Sequence, residues 1–261
     1  MPSRPFSPGA ALLLLLVYFA ANAVVLLIGD ALSDGPVGSV FFAASAVLAP
    51  LVAVYVGLVR HAPEEGTASA LVLGAPHGRA WIHIGLALVI GAALAPLAYE
   101  LTARLIELLP ATDAPDDAMA EWLAAQRMPA TQALVGASAL LLIPFTRETL
   151  FRGLMLPRLG AVVGTTRAVS LVVLLDLVTQ PFPELPPHGL VAAVPLCLLA
   201  LASRSTWAPF AGHVALVAAT FGVDMQFGDH APAALIVGGA AVAVAATALS
   251  WRLRVPAPEA T

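Results

Sequence analysis

The chain has no lysine; all 12 of its basic residues are arginine, which we read as a codon bias without functional weight. Charge of either sign is scarce. Only 11% of residues are charged and 60% are hydrophobic, whereas a soluble domain carries about 25% charge. A soluble globular fold is thereby excluded, and a polytopic membrane protein is expected. A net charge of −4 leaves no electrostatic footprint for nucleic acid. The single cysteine, Cys197, lies in an apolar run, so no disulfide framework or cysteine-rich metal site can form. No His-Glu-x-x-His occurs, which removes the common zinc-protease helix. No phosphate-cradling loop and no internal repeat is present. No metal or cofactor is expected.

What the chain has is long apolar runs. Crossing a bilayer takes about 20 such residues, with a range of roughly 17–25. The runs are Gly9 to Ile28, Val37 to Val59, Trp81 to about Leu101, and about Ala130 to Leu156. Two shorter ones follow, about Ala168 to Val178 and about Gly189 to Ala202, then Trp207 to Val223 and Ala231 to Ser250. The expectation is an all-α polytopic membrane helical bundle of about eight spans, forming one integral membrane domain over 1–261. Its N-terminal run reads as an uncleaved anchor.

Orientation follows from the arginines. With the N-terminus inside, the inner segments hold Arg4, Arg60, Arg79, Arg158, Arg167, Arg204, Arg252 and Arg254, and the outer ones only Arg104 and Arg127. The positive-inside rule puts both termini in the cytoplasm, here of a bacterial inner (plasma) membrane. Between spans, Thr102 to Pro129 is the longest loop, with an interfacial helix expected over Ala118 to Arg127 and Trp122 as its anchor. Gln180 to His188 holds four prolines and reads as extended.

Chemistry concentrates in Pro144-Phe145-Thr146-Arg147-Glu148-Thr149-Leu150-Phe151-Arg152-Gly153, three charges in six residues at the end of an apolar run. Charges at that depth usually face a protein interior or a wet cavity. Glu148 and Arg152 are four apart, the acid first, the favourable order for a helical ion pair. Pro144, one turn earlier, removes a backbone hydrogen bond and loosens the helix. Asp176 lies in the fifth span and His213 in the seventh, so three spans offer polar residues to a shared site. His83 follows Trp81 and reads as interfacial. Gly136-Ala137-Ser138-Ala139 is a weak serine-protease-like match, better read as packing.

The charged stretch resembles the first motif of the CAAX-prenyl-protease and bacteriocin-processing (CPBP, or Abi) family of intramembrane glutamic endopeptidases. That motif is Glu-Glu-x-x-x-Arg, often followed by Phe-Arg-Gly; here it reads Arg147-Glu148-Thr149-Leu150-Phe151-Arg152-Gly153. Ser205-Thr206-Trp207-Ala208-Pro209-Phe210-Ala211-Gly212-His213 resembles the family's third motif. The likeness covers a core of 131–221. It implies a CAAX-protease-like bundle and cleavage of a membrane-associated or lipidated peptide, with Glu148, Arg152 and His213 as site residues. Three positions depart from the pattern. Arg147 replaces the first acid, the proposed general base. Thr179 or Gln180 stands where the second motif has His. Val217 stands where the third has Asn. An active enzyme would need Glu148 as base with His213 in electrophilic or oxyanion support. The alternatives are a catalytically silent relative that binds a lipid or a membrane peptide, and a small transporter. Arg147 needs a counter-charge, and Asp176 is the expected partner, bridging the fourth and fifth spans.

Overall fold

The computed structural model describes residues 6–32, 37–61, 71–73, 78–108, 136–179, 188–227 and 230–255. The interfacial helix expected over Ala118 to Arg127, the proline loop 180–187 and Gln180 lie outside them. Among the described residues every regular element is helical. In chain order these are α1 (Pro8–Leu32), α2 (Val37–His61), α3 (Ala80–Leu108), α4 (138–163), α5 (Thr165–Val178), α6 (His188–Ser203), α7 (Trp207–Phe227) and α8 (Ala233–Arg252). An all-α membrane helical bundle is therefore what the sequence encodes.

Among the described residues, five helices are long and apolar enough to cross a membrane: Pro8–Gly29, Ala44–His61, Ala80–Leu105, Trp207–Phe227 and Ala233–Arg252. α5 and α6 are short, as expected from their runs. At 1.5 Å per residue, fewer than 17 residues fall short of the roughly 30 Å hydrocarbon core. α3 continues to Leu108, so the first seven residues assigned to the long loop are helical instead. α5 begins at Thr165 rather than Ala168.

α4 is irregular in a way that matters. It runs through Ser138–Leu142, Ile143–Glu148, Thr149–Met155 and Leu156–Val163, and the first and third of these are wide π-type turns. The Ile143 and Leu156 amides bond five residues back, to Ser138 and Phe151. Such turns occur mostly as short bulges at functional sites, and Pro144 sits between the two. Gly164 ends the helix with φ +82°, and α5 starts at the next residue. A side chain at that φ would be strained, so glycine permits the tight reversal.

Two apolar cores form. One joins α1, α2, α4 and α5 through Leu14, Ala53, Leu150, Leu154 and Val172. The other joins α3, α6, α7 and α8 through Ile90, Leu94, Leu199, Leu216 and Ala243. In the second, Gly91 of α3 lies so close to the Gly212 carbonyl of α7 that any Cβ would collide with it. Small residues bring membrane helices together in this way. α4 belongs to the first core, and its charged stretch also touches α6 and α7.

Candidate active site

Arg147, Glu148, Arg152, Asp176, Thr179 and His213 converge, all of them buried. Arg147 and Asp176 form the expected bridge between α4 and α5. Arg147 Nη2 also donates to the Asp176 carbonyl at 2.8 Å and to Thr179 Oγ1 at 3.2 Å, and Nη1 donates to the Thr179 carbonyl at 3.0 Å. Arg152 donates from Nη1 to Asp176 Oδ2 at 2.6 Å. One carboxylate thus holds two guanidiniums.

Wide turns explain how. Five residues on an α-helix are about 140° apart, so Arg147 and Arg152 would point away from each other. The π-type turn over Thr149–Met155 takes more residues per revolution and brings Arg152 round toward Arg147. Phe151 lies between them, its ring 5.4 Å from the Arg147 guanidinium and 6.0 Å from that of Arg152. A ring face attracts cations, and more so where water is excluded.

Glu148 is wholly buried. Its Oε1 accepts from His213 Nδ1 at 2.7 Å, joining α4 to α7. With Glu148 ionised, Nδ1 is the donor of this bond, because a carboxylate only accepts. The Glu148–Arg152 pair is present but looser than its spacing promised. Arg152 Nε is 3.4 Å from Glu148 Oε2, and Nη1 is 3.4 Å from Oε1. The Nε contact is close yet misaligned, which leaves Glu148 Oε2 and Arg152 Nε without aligned hydrogen bonds. Arg152 is drawn instead toward Asp176 and toward the Ala193 carbonyl of α6, 3.3 Å from Nη2.

The centre is therefore two arginines against two carboxylates, closed by one imidazole. Four buried ions tolerate this depth only as a compensated set, because a lone buried charge is far more costly than a paired one. Val217 is buried one turn beyond His213 on α7 and offers only methyl groups. Thr179 meets Arg147 from the second-motif position, and Gln180 lies outside the described residues. Among the described residues, no three His, Cys, Asp or Glu side chains gather as a metal-holding group.

Two contributors escaped the sequence reading. Tyr18 of α1 donates from its hydroxyl to the Thr179 carbonyl at 3.2 Å. A lone tyrosine among aliphatic residues was the available signal. The Ala193 carbonyl left none. His83 is corrected: it is fully buried, with Nδ1 2.8 Å from Ser250 Oγ on α8. Trp81 stays exposed, because two residues along a helix lie about 200° apart.

A strap borders the centre. Leu71, Val72 and Leu73 give their carbonyls in turn to Thr206 Oγ1 at 2.7 Å, the Thr206 amide at 3.1 Å and Trp207 Nε1 at 3.0 Å. Leu71's carbonyl lies against Gly153, where a Cβ would come within 2.7 Å of it. The glycine after Arg152 thus makes room for the strap. Val72 takes φ +55°, a strained value for a β-branched residue.

Residues 129–219, about a third of the chain, match the family model described as Rce1-like, Type II CAAX prenyl endopeptidase Rce1-like. No curated protein and no solved structure matches the chain.

Proposed function

We propose, for a chain that belongs to the CAAX-protease family through residues 129–219, that the family scaffold is kept without its hydrolytic step. It is an integral membrane protein that binds a membrane-associated or lipidated peptide in the bilayer and does not cleave it. The observation that carries this reading is the engagement of Arg147 by Asp176 and Thr179. Family resemblance expects a general base at the first position and an imidazole at the second. A general base must take a proton from water, and arginine stays protonated at any accessible pH. Thr179 spends its hydroxyl and its carbonyl on Arg147. Restoring glutamate at 147 alone would leave three acids against one arginine, so the change at 147 and Asp176 make sense only together.

A second reading rests on Glu148 Oε2, which lacks an aligned hydrogen bond. Glu148 would serve as base and His213 as electrophilic support, giving an active endopeptidase. Purified full-length protein in lipid nanodiscs, incubated with a lipidated C-terminal peptide carrying a photo-crosslinker, separates the two. Crosslinking without a cleavage product supports the silent reading. Cleavage by the parent, lost in Glu148→Gln and His213→Ala but kept in Ser138→Ala, would overturn it. The arginine distribution supports both termini in the cytoplasm. The contacts that the charged stretch of α4 makes with α5, α6 and α7 support a single domain over 1–261.

A further inference from the structure

Three helix ends meet on one rim of the bundle, away from the charged centre. The start of α3 and the end of α8 are tied by His83 Nδ1 and Ser250 Oγ at 2.8 Å. The end of α6 joins them because the Val255 amide donates to the Ala202 carbonyl at 2.8 Å. Arg79 lies one turn before His83, and its carbonyl accepts the His83 amide at 3.4 Å. Arg252 and Arg254 follow Ser250, and Arg204 follows Ala202. All four arginines are exposed. Trp81 is 61% exposed and Trp251 37%, and the Arg254 guanidinium stands 5.6 Å over the Trp251 ring.

The rim has no acid of its own among the described residues. The acidic side chains described elsewhere are Glu148 and Asp176 in the buried centre, and Glu100 and Asp224, which meet Tyr99, Arg104 and Ala231 at the far end of α3. Among the described residues no acid stands against these four cations, and two exposed indoles lie at the same ends of apolar helices. Exposed Ile82 and Leu249 begin the apolar surface beside this seam. Indoles settle at the headgroup level of a bilayer. A soluble anion would use the arginines but not the indoles or the aliphatic surface. An anionic amphiphile uses all three.

We propose that this rim is a binding site for an anionic phospholipid, its phosphate held by Arg79, Arg252 and Arg254 and its glycerol region lying against Trp251. Basic pockets between membrane helices recognise such headgroups, each arginine contributing on the order of a fivefold preference. The site is independent of peptide binding or cleavage. It joins three helices of the second core, so an occupied site stabilises that half of the bundle.

Native mass spectrometry of the full-length protein, with phosphatidylglycerol or phosphatidylcholine titrated into detergent, tests the proposal. The parent should retain phosphatidylglycerol in preference, and the R79Q/R252Q/R254Q variant should lose roughly a hundredfold of that preference. Raising salt should weaken retention in the parent, and R79K/R252K/R254K should keep most of it. The lysine variant also stands in if the glutamine variant does not fold. Equal retention of the two lipids by the parent, or an unchanged preference in the glutamine variant, overturns the proposal. Competition by soluble glycerol phosphate at equal concentration would make the site one for a free anion and overturn the lipid assignment.

Discussion

Two Glu–Arg pairs with the same four-residue spacing sit in this molecule and differ in almost everything else. Glu100 and Arg104 of α3 meet at 2.9 Å, with side chains 17% and 57% exposed. Glu148 and Arg152 of α4 are wholly buried and approach only to 3.4 Å. The buried pair is the longer one because Asp176 competes with Glu148 for Arg152. Spacing brings two charges within reach, and the surroundings decide whether they choose each other. In water such a pair contributes about 0–1 kcal/mol. In the buried centre no pair can be valued singly, because Asp176 serves two arginines and Glu148 serves an arginine and a histidine.

The largest effect is expected where that sharing is broken at its hub. Asp176→Asn leaves two buried guanidiniums facing one remaining carboxylate, and the loss should be on the order of 3–5 kcal/mol. Thermal melting of purified protein checks it, and parent-like melting would mean that the centre is not a compensated ion set. Exchanging the bridge, Arg147→Asp with Asp176→Arg, should recover only part of the loss in a double-mutant cycle. The new arginine would face Arg152, which also depends on position 176; complete recovery would show that Arg152 is indifferent to Asp176. Glu148→Gln keeps an acceptor for His213 and leaves Arg152 its Asp176 contact, so a loss of about 1–3 kcal/mol is expected. Arg104→Gln, the surface counterpart, should change stability by no more than about 0.5 kcal/mol. A larger loss at Arg104 than at Glu148 would erase the contrast between the two pairs.

How much of this was legible depended on which signal a residue could send. Apolar run length was enough for the bundle, and the motifs for Glu148, Arg152 and His213. Charge balance alone pointed from Arg147 to Asp176. The approach of Arg147 to Arg152 was not readable, since no α-helical period places residues five apart on one face and nothing in Thr149–Met155 announces a wide turn. His83 was misread for a related reason. A helix apolar all round has no stripe to say which face is covered, so Trp81 lent its interfacial character to a neighbour on the opposite side. Tyr18 and the Ala193 carbonyl act across long sequence distances, where residue type carries little information.

The strap at Leu71–Leu73 sets an order of events as the protein is made. It leaves the ribosome before either surface it joins, and Thr206, which takes the Leu71 carbonyl, lies 135 residues downstream. Until α7 emerges, three successive carbonyls await their donors and the strained turn at Val72 has nothing to hold it. The clasp is therefore among the late contacts to form in synthesis. A chain truncated before Thr206 would contain α4 and α5 with their arginines and acids already paired, yet lack the closure that fixes α4 against α7.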